Sequence, residues 1–352
     1  MAFIKKEYKK FNKKSFGSFL LAGDVGGTNT SLGVFGIKNA RAEFLMSFHF
    51  SSPKLKNLSE AVNEVMGYLR DERRISISKA CFGIAGTITP NGDFAKVTNL
   101  NWDVDRKDLL EKTKLTQILL INDFEAIGYG INIVKEKDVF TIRKAKKIPK
   151  APIVVIGAGT GLGKKTLIYD KHSKAYAPIP SEAGHCDFPA QAKEELELVN
   201  FVKRKEKTKA SVSYEQVLSG KGLANIYSFL RKTGDYRVTK YTKEIDKSKN
   251  WPELISKYRS ADKTCKAAFG IFKANYAKFA KNCALGALAY GGVYIAGGIA
   301  PKNRDIFDKR FIRIFEDNHK MQRVLKKMPI YLILNYNAGL LGAGFAGAKF
   351  LK

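Results

Sequence analysis

The segment Phe19–Gly33 constrains the fold of this chain more than any other stretch. An apolar run there ends in an acid, a glycine pair and several hydroxyl residues, and apolar residues then return. This pattern is typical of two strands joined by a tight turn, because glycine lets the backbone turn sharply and approach a ligand closely. From these residues alone, the turn is either a plain β-hairpin or a loop that binds phosphate.

The polar residues of the turn suit a metal-bound polyphosphate. The backbone N–H groups of Gly26 and Gly27 can face phosphate oxygens. Asp24, at the end of the first predicted strand, can hold hydrated Mg²⁺, which prefers one or two carboxylates together with water and phosphate oxygens. The hydroxyls that can join the phosphate contacts are those of Thr28, Thr30 and Ser31.

Length and composition indicate a globular protein of two domains. The chain has 352 residues, 45% of them hydrophobic, and chains usually split into domains beyond about 250–300 residues. No stretch approaches the length of an apolar membrane span, and Met1–Gly17 lacks the apolar centre of a signal peptide. The isolated cysteines Cys81, Cys186, Cys265 and Cys283 predict reduced thiols and a cytoplasmic location.

The net charge of +29, from 62 basic and 33 acidic residues, does not by itself identify a function. Basic runs such as Arg143–Lys150 and Lys240–Lys249 are spread along the chain and often include acidic neighbours, which is typical of solvated faces and loops. RNA-binding aromatic signatures and zinc-finger spacings are missing from the sequence. We therefore expect no specific nucleic-acid partner, although the positive field can gather anionic ligands such as nucleotides.

The N-terminal segment Met1–Ser18 is basic, and its structure is open from the sequence. Ile4, Tyr8 and Phe11 have helical spacing, which allows a short amphipathic helix. A solvated extension is the favoured interpretation.

The rest of the chain alternates between predicted strands and helices. Apolar runs predict strands at Phe19–Ala22, Leu32–Ile37, Phe44–Phe50, Ala80–Ile84, Ile118–Ile121, Ile153–Ile156, Leu167–Tyr169, Val293–Ala296 and Tyr331–Leu334. Apolar spacing predicts helices over Leu58–Arg70, from about Asp105, from about Phe124, over most of Ala210–Ala289 and at the C-terminus.

A second glycine-rich turn, Gly157–Gly163, repeats the strand–turn–strand pattern and suggests a duplicated fold that closes on one nucleotide. The turn fails the Walker pattern at Ala158 and Lys165, and it also fails the Rossmann glycine spacing. It remains suited to cradling a terminal phosphate with backbone N–H groups and the hydroxyl of Thr160.

Asn122 and Asp123 follow a predicted buried strand, where ligands of α/β folds gather. A carboxylate at this point can accept a proton from an attacking hydroxyl. The alternative is that Asp123 only caps the helix that begins near Phe124.

Glu182 and His185 can hydrogen-bond the adjacent hydroxyls of a polyol, and Glu215 can complete a ring of acceptors. A metal site is the alternative for the first pair, with only Cys186 and Asp187 as further ligand types close by.

Nine segments, taken in order, resemble the bacterial-type glucokinases of the hexokinase/actin-like ATPase superfamily. They cover the chain from about Leu20 to its end. The segments are LAGDVGGTNTSLGVF, CFGIAGTI, VTNLNW, LLINDFEAIGYGI, VIGAGTGLG, SEAGHCDF, YEQVLSGKGL, GGVYIAGGIAPK and PIYLILNYNAGLLGAG.

This resemblance implies an α/β, two-lobed hexokinase/actin-like ATPase (ribonuclease H-like) fold. Its active-site cleft would lie between a small α/β domain, 19–133 plus 332–352, and a larger α+β domain, 134–331, after the extension 1–18. The implied activity is ATP-dependent phosphorylation of D-glucose at its 6-hydroxyl, the first step of glycolysis. A homodimer is also implied.

The resemblance assigns roles residue by residue. Asp123 matches the general base, and Asp24 is expected to reach Mg²⁺ through water. The glucose-contacting positions are Asn101, Asn122, Asp123, Glu182, His185 and Glu215. The nucleotide positions are Asp24, Gly26, Gly27, Thr28, Asn29, Gly159, Thr160, Gly297 and Gly298.

Two positions depart from the family pattern, and other readings stay open. Thr87 and Ala183 stand where relatives commonly have Pro and Gly, which bears on kinetics or sugar preference. The alternatives are an acyl-hexosamine or broad-specificity hexose kinase, a sugar-sensing protein and a nucleic-acid binder. Acyl-hexosamine kinases often carry a zinc-binding cysteine cluster, of which only Cys186 appears here.

Overall fold

The computed structural model describes residues 3–39 and 41–351, so Met1, Ala2, Ala40 and Lys352, which the predicted domain ranges include, lie outside it. Its residues form two compact units. Unit 1 consists of Met1–Asp138, Tyr169–Ile179 and Asn335–Lys352, and unit 2 of Val139–Ile168 and Pro180–Leu334. The sequence-based domain boundaries given above stay a prediction.

Each predicted strand and helix is present, and the structure adds further strands and helices that the sequence pattern did not predict. The strands are β1 (Ile4–Glu7), β2 (Ser18–Val25), β3 (Asn29–Lys38), β4 (Arg41–Ser51), β5 (Lys79–Ile84), β6 (Gly86–Ile88), β7 (Phe94–Val97), β8 (Val104–Asp105), β9 (Gln117–Asn122), β10 (Val139–Arg143), β11 (Ile153–Ala158), β12 (Leu162–Asp170), β13 (Ala175–Ile179), β14 (Gly292–Ala296) and β15 (Ile330–Ile333). The helices are α1 (Leu58–Arg73), α2 (Arg106–Lys112), α3 (Asp123–Gly130), α4 (Lys193–Glu206), α5 (Gly220–Thr233), α6 (Lys240–Lys247), α7 (Trp251–Tyr258), α8 (Lys263–Ala287), α9 (Lys309–Glu316), α10 (Gln322–Leu325) and α11 (Ala338–Phe350).

The main sheet of unit 1 has the strand order β1-β4-β3-β2-β5-β9. Strands β1 to β4 pair antiparallel, and β5 and β9 run parallel to β2. Successive side chains of β2 point to opposite faces of the sheet, so Leu21 packs with Val62 and Leu69 of α1 while Leu20 packs with Leu340 of α11. Each of these fully buried side chains stabilises the unit by about 1.5–3 kcal/mol.

The N-terminal segment differs from its predicted form. Residues Ile4–Glu7 form an edge strand that pairs antiparallel with β4, rather than a helix or a solvated extension. Tyr8 continues the attachment, because its N–H donates to the carbonyl of Leu45 at 3.0 Å. The strand is exposed and pairs with β4 along one of its two edges. This non-local pairing was not visible in the local sequence pattern.

The sheet of unit 2 contains the order β10-β15-β14-β11-β12. Strands β11 and β12 form an antiparallel hairpin, while β14 runs parallel to β11 and β15 parallel to β14. Unit 1 has the same arrangement in β2, β3, β5 and β9, so the predicted repeat is present in the topology of both units. The core of unit 2 packs α5 and α8 against this sheet, for example through Ile226, Phe272 and Ile156.

Helices α3 and α11 cross in backbone contact, which only glycine allows. A Cβ at Gly342 would lie 1.7 Å from the carbonyl oxygen of Ala126 and 2.6 Å from the nitrogen of Gly130. A Cβ at Gly130 would lie 2.6 Å from the carbonyl oxygen of Ala338. This crossing sets the positions of the first residues of both helices.

The variant Gly342→Ala tests this crossing. Its methyl group overlaps backbone atoms that cannot move independently, so we expect a loss of about 1–3 kcal/mol in the free energy of unfolding. Chemical denaturation followed by circular dichroism measures the change. The control is Gly67→Ala in α1, where a Cβ meets nothing within 4 Å, and there we expect a gain of up to about 1 kcal/mol. Equal effects of the two substitutions would contradict the packing argument.

Candidate functional site

Two carboxylates lie near each other at one edge of the unit 1 sheet. Asp24 stands near the end of β2, Gly83 of β5 is paired with both Asp24 and Ile121 of β9, and Asp123 follows β9. Burial raises the pKa of Asp24 to about 7, and the negative charge of Asp123 adds to the shift. A Cβ at Gly339 would come within 3.1 Å of the Asp24 carboxylate, so the start of α11 lies directly against it.

Ser52 holds the first glycine turn in place through two hydrogen bonds to its backbone carbonyls. The N–H of Gly26 donates to the carbonyl of Asn29 at 3.0 Å, which closes the turn. The hydroxyl of Ser52 donates to the carbonyl of Gly26 at 2.6 Å, and its N–H donates to the carbonyl of Thr28 at 3.0 Å. Thr28 and Asn29 remain exposed, so the turn is a hairpin whose outer surface is open to a ligand.

Gly27 lies against the loop that contains Asn101. A Cβ at Gly27 would come within 2.7 Å of the Thr98 carbonyl oxygen, which explains why a glycine is needed at this point of the turn. Asn101 is exposed in the same loop, which connects β7 to β8, and its neighbour Trp102 is buried. The structure therefore brings the Asn101 loop and the first glycine turn together within unit 1.

Asn122, rather than Asp123, caps helix α3. The side-chain oxygen of Asn122 accepts from the N–H groups of Phe124 and Glu125 at 3.1 and 3.3 Å, and Asp123 is the first residue of the helix. The Asn122 amide also donates to Oδ1 of Asp123 at 3.0 Å and to the Gly86 carbonyl at 3.2 Å. Asn122 therefore takes the N-cap position considered for Asp123, although Oδ1 of Asp123 also accepts from the N–H of Phe124 at 2.8 Å. The Asn122 amide in addition orients the Asp123 carboxylate.

The second glycine turn collects three segments of unit 2. The N–H of Gly159 donates to the carbonyl of Gly161 at 2.8 Å, and the carbonyl of Gly159 accepts from the N–H of Gly220 at 2.8 Å. A Cβ at Gly159 would lie 3.9 Å from the nitrogen of Gly298. Gly297 has a φ of +85°, a left-handed conformation that favours glycine. Thr160 and Gly298 are both exposed, and the two segments that contain them are neighbours at this turn.

Helix α5 begins at this turn, with Gly220 as its first residue, and the sequence pattern alone gave no start for it within Ala210–Ala289. The hydroxyl of Ser219 accepts from the N–H of Gly222 at 3.0 Å and caps the helix. Helix N-termini carry a partial positive charge that favours anions. A serine directly before helically spaced apolar residues was the signal that could have identified it.

Glu182, His185 and Glu215 come together in unit 2. The N–H of Glu215 donates to the carbonyl of Gly184 at 2.9 Å, and the N–H of His185 donates to the carbonyl of Glu182 at 2.9 Å. One carboxylate oxygen of Glu215 accepts from the N–H of Leu162 at 2.8 Å, which ties it to the second glycine turn. The side chains of Glu182 and His185 are exposed, so this patch presents an imidazole and carboxylates to a ligand.

Within residues 3–39 and 41–351, no cluster of three or more His, Cys, Asp or Glu side chains is arranged to hold a metal ion alone. The Asp24 and Asp123 carboxylates fit a cation that brings its own phosphate and water ligands, as Mg²⁺ does. Within the same residues, none of the helices combines the length and the apolar character that a membrane crossing needs.

Comparison with known proteins places these features in one family. The Glucokinase family model matches residues 21–349. A glucokinase from Nostoc sp. strain PCC 7120 is 35% identical over 350 residues, which cover 94% of this chain and 99% of the relative.

Solved structures agree with this match and confirm the predicted α/β fold class. Glucokinase from Balamuthia mandrillaris in complex with glucose has a TM-score of 0.78 at 23% identity, covering 94% of this chain and 93% of that one. A ROK family glucokinase from Streptomyces griseus in complex with glucose and AMPPNP has a TM-score of 0.61 at 16% identity, covering 93% of this chain and 98% of that one.

The raised pKa of Asp24 predicts a pH-dependent stability. Because the folded pKa of about 7 exceeds the ordinary value of 3.8, the folded state binds the proton more tightly, and the free energy of unfolding falls as pH rises between these values. The variant Asp24→Asn has no carboxylate that must ionise in the folded state. Its melting temperature at pH 8 should therefore exceed that of the original protein, by about 2–4 °C for each kcal/mol of unfolding free energy that ionisation of Asp24 costs. The difference should shrink towards pH 5.

Differential scanning calorimetry without nucleotide or metal measures both melting temperatures. A difference that stays the same from pH 5 to pH 8 would contradict the assigned burial of the Asp24 charge.

Proposed function

The chain belongs to the glucokinase family, and we propose how its own residues perform the reaction of that family. It is an ATP:D-glucose 6-phosphotransferase, which transfers the terminal phosphoryl group of ATP to glucose. The observation that carries the residue assignments is the Asn122–Asp123 pair at the end of a parallel strand, with Asp24 near by.

Asp123 acts as the general base. Its carboxylate takes the proton of the glucose 6-hydroxyl as that oxygen attacks the terminal phosphorus and the bond to ADP breaks. Phosphoryl transfer depends mainly on positioning and charge neutralisation, so the base contributes a factor of about 10²–10⁴ rather than the whole acceleration. Asn122 supports this role, because its amide holds Oδ1 of Asp123.

Asp24 holds Mg²⁺ through water. The donor set fits, because a carboxylate whose pKa is raised by burial and by a neighbouring acid is stabilised as the anion by a divalent cation. When bound with ATP, Mg²⁺ neutralises charge on the transferring phosphates. The nucleotide is contacted through the first glycine turn by Gly26, Gly27, Thr28 and Asn29, and through the second by Gly159, Thr160, Gly297 and Gly298.

Glucose hydroxyls are bound by the polar side chains of Asn101, Asn122, Glu182, His185 and Glu215. The carboxylates accept hydrogen bonds from sugar hydroxyls, and the imidazole of His185 donates or accepts one. Because one oxygen of Glu215 already accepts the N–H of Leu162, a fixed hydrogen bond orients the group that meets the sugar.

The protein works as a cytoplasmic homodimer without a specific nucleic-acid partner. Light scattering tests the dimer. Gel retardation at several salt concentrations tests for nucleic-acid binding. Any purely electrostatic binding to DNA should fall steeply as the salt concentration rises.

A coupled assay across sugars and phosphoryl donors tests the activity itself. We expect ADP release that depends on glucose, with mannose, fructose and N-acetylhexosamines as weaker acceptors and with ADP and polyphosphate as inactive donors. The absence of sugar-dependent ADP release would overturn the proposed function. If an acylated hexosamine is turned over faster than glucose, the protein is instead a related acyl-hexosamine kinase.

The variant Asp123→Asn tests the base. It keeps the size of the side chain but removes the proton acceptor, so kcat should fall by about 10²–10⁴ while glucose still binds. Steady-state kinetics and glucose binding by calorimetry measure these effects. The matched control is Asp105→Asn, because Asp105 also stands between a strand and a helix, where it caps α2. Near-normal turnover of Asp123→Asn would exclude its assigned role.

A further inference from the structure

Unit 1 contains a chain of hydrogen-bonded side chains that the reaction described above does not use. The Asn337 amide donates to the hydroxyl of Tyr8 at 3.2 Å, and the Tyr8 hydroxyl lies 3.2 Å from that of Ser47. Nε2 of His49 lies 2.8 Å from the Ser47 hydroxyl, and Nδ1 lies 2.9 Å from the hydroxyl of Ser31. This series of hydrogen bonds thus joins side chains that are far apart in sequence.

Both ends of this chain reach the surroundings of Asp24. Ser31 is paired with Asp24 across β2 and β3, and His49 is paired with Ser31 across β3 and β4, so the three side chains share one face of the sheet. At the other end, Asn337 directly precedes α11, whose Gly339 lies against the Asp24 carboxylate. Ser31 also follows the first glycine turn and is half-buried.

The hydrogen bonds of this series can all run in one direction. The Tyr8 oxygen accepts from the Asn337 amide, and the Tyr8 hydroxyl can donate to Ser47. Ser47 can then donate to Nε2 of His49, which accepts in the tautomer that carries its proton on Nδ1. In that tautomer Nδ1 donates to the oxygen of Ser31, and the proton of the Ser31 hydroxyl is left to be donated elsewhere.

The surroundings of His49 keep the imidazole neutral. Burial lowers the pKa of His49, and the positive charge of Lys6 on β1 lowers it further. A neutral ring keeps one acceptor nitrogen for the Ser47 hydroxyl, which a doubly protonated imidazole lacks.

We propose that Tyr8, Ser47 and His49 are positioning residues that hold the Ser31 hydroxyl as a hydrogen-bond donor to the phosphates of ATP at the first glycine turn. This inference rests on the proposed function, because it places the nucleotide phosphates at that turn. Ser31 contacts the nucleotide, whereas the other three residues act through Ser31.

The inference also gives the basic N-terminal segment a role. The family match begins at residue 21, yet Tyr8 lies before it and occupies the middle of the chain of hydrogen bonds. Its ring packs on Phe44 with the ring centroids 4.4 Å apart, and β1 fixes its backbone beside β4. The segment therefore belongs to the nucleotide half of the site in unit 1.

Substitutions at His49 test the direction of the hydrogen bonds. Asparagine places an amide where Nδ1 stands and can still donate to Ser31, whereas glutamine places its amide nearer to the position of Nε2. Because His49→Gln loses the one hydrogen bond to Ser31, it should raise the KM for ATP about three- to tenfold. His49→Asn should change it less than about twofold. The KM for glucose should stay constant in both variants.

A double-mutant cycle tests whether His49 acts through Ser31. Ser31→Ala should raise the KM for ATP as much as His49→Gln does, and the double variant should be no worse than Ser31→Ala alone. Tyr8→Phe removes only the hydroxyl and should raise the KM for ATP about two- to threefold. The matched control is Tyr68→Phe, because the Tyr68 hydroxyl accepts from Lys5 of the same N-terminal strand at 2.7 Å but lies outside the chain of hydrogen bonds.

Calorimetry with a non-hydrolysable ATP analogue in the presence of glucose gives a second readout, in which Kd should follow the KM for ATP. Unchanged ATP affinity in Ser31→Ala and His49→Gln would overturn the proposal, as would additive effects or equal losses in the two His49 variants. If the original chain itself shows no glucose-dependent ADP release, the proposed function fails. If it turns over and these variants match it, only this inference fails.

Discussion

The crossing of α3 and α11 is the contact on which the rest of unit 1 depends. Backbone atoms meet where Gly342 faces Ala126 and Gly130, because no side chain separates the helices. This closeness lets the first residues of both helices reach the same edge of the sheet. Asp123 stands at the start of α3, and Gly339 at the start of α11 lies against Asp24. A wider crossing would move the Asp123 carboxylate away from that of Asp24.

Placing the Asp24 and Asp123 carboxylates close together is electrostatically unfavourable. Asp24 is half-buried near a second acid, and both its desolvation and the Asp123 charge raise its pKa. A protein selected only for stability would avoid such an arrangement, whereas a site that receives a divalent cation and a polyphosphate needs anionic groups in place beforehand. The hydrogen-bonded side chains from Tyr8 to Ser31 fix a neutral hydroxyl on the same face of the sheet as Asp24.

Local patterns predicted most of the strands and helices, because apolar runs such as Ile118–Ile121 and Ile153–Ile156 are buried in the sheets as expected. They failed at the N-terminal segment, where the spacing of Ile4, Tyr8 and Phe11 suggested a helix or a solvated extension. Pairing with β4 overrode that local preference. They also considered only Asp123 as the cap of α3, whereas Asn122 is an equally good capping residue and the backbone geometry places it at the N-cap.

The sequence by itself determined the chemistry that is available. Its glycine turns, its acid after a buried strand and its Glu/His segment carry the resemblance to glucokinases, because residue type and order along the chain are enough to express them. The tertiary structure decided which of these groups are neighbours. Tyr8 and Asn337 are separated by 329 positions in the chain but share a hydrogen bond. Such a contact depends on how strands pair and helices cross, and no local pattern of residues encodes it.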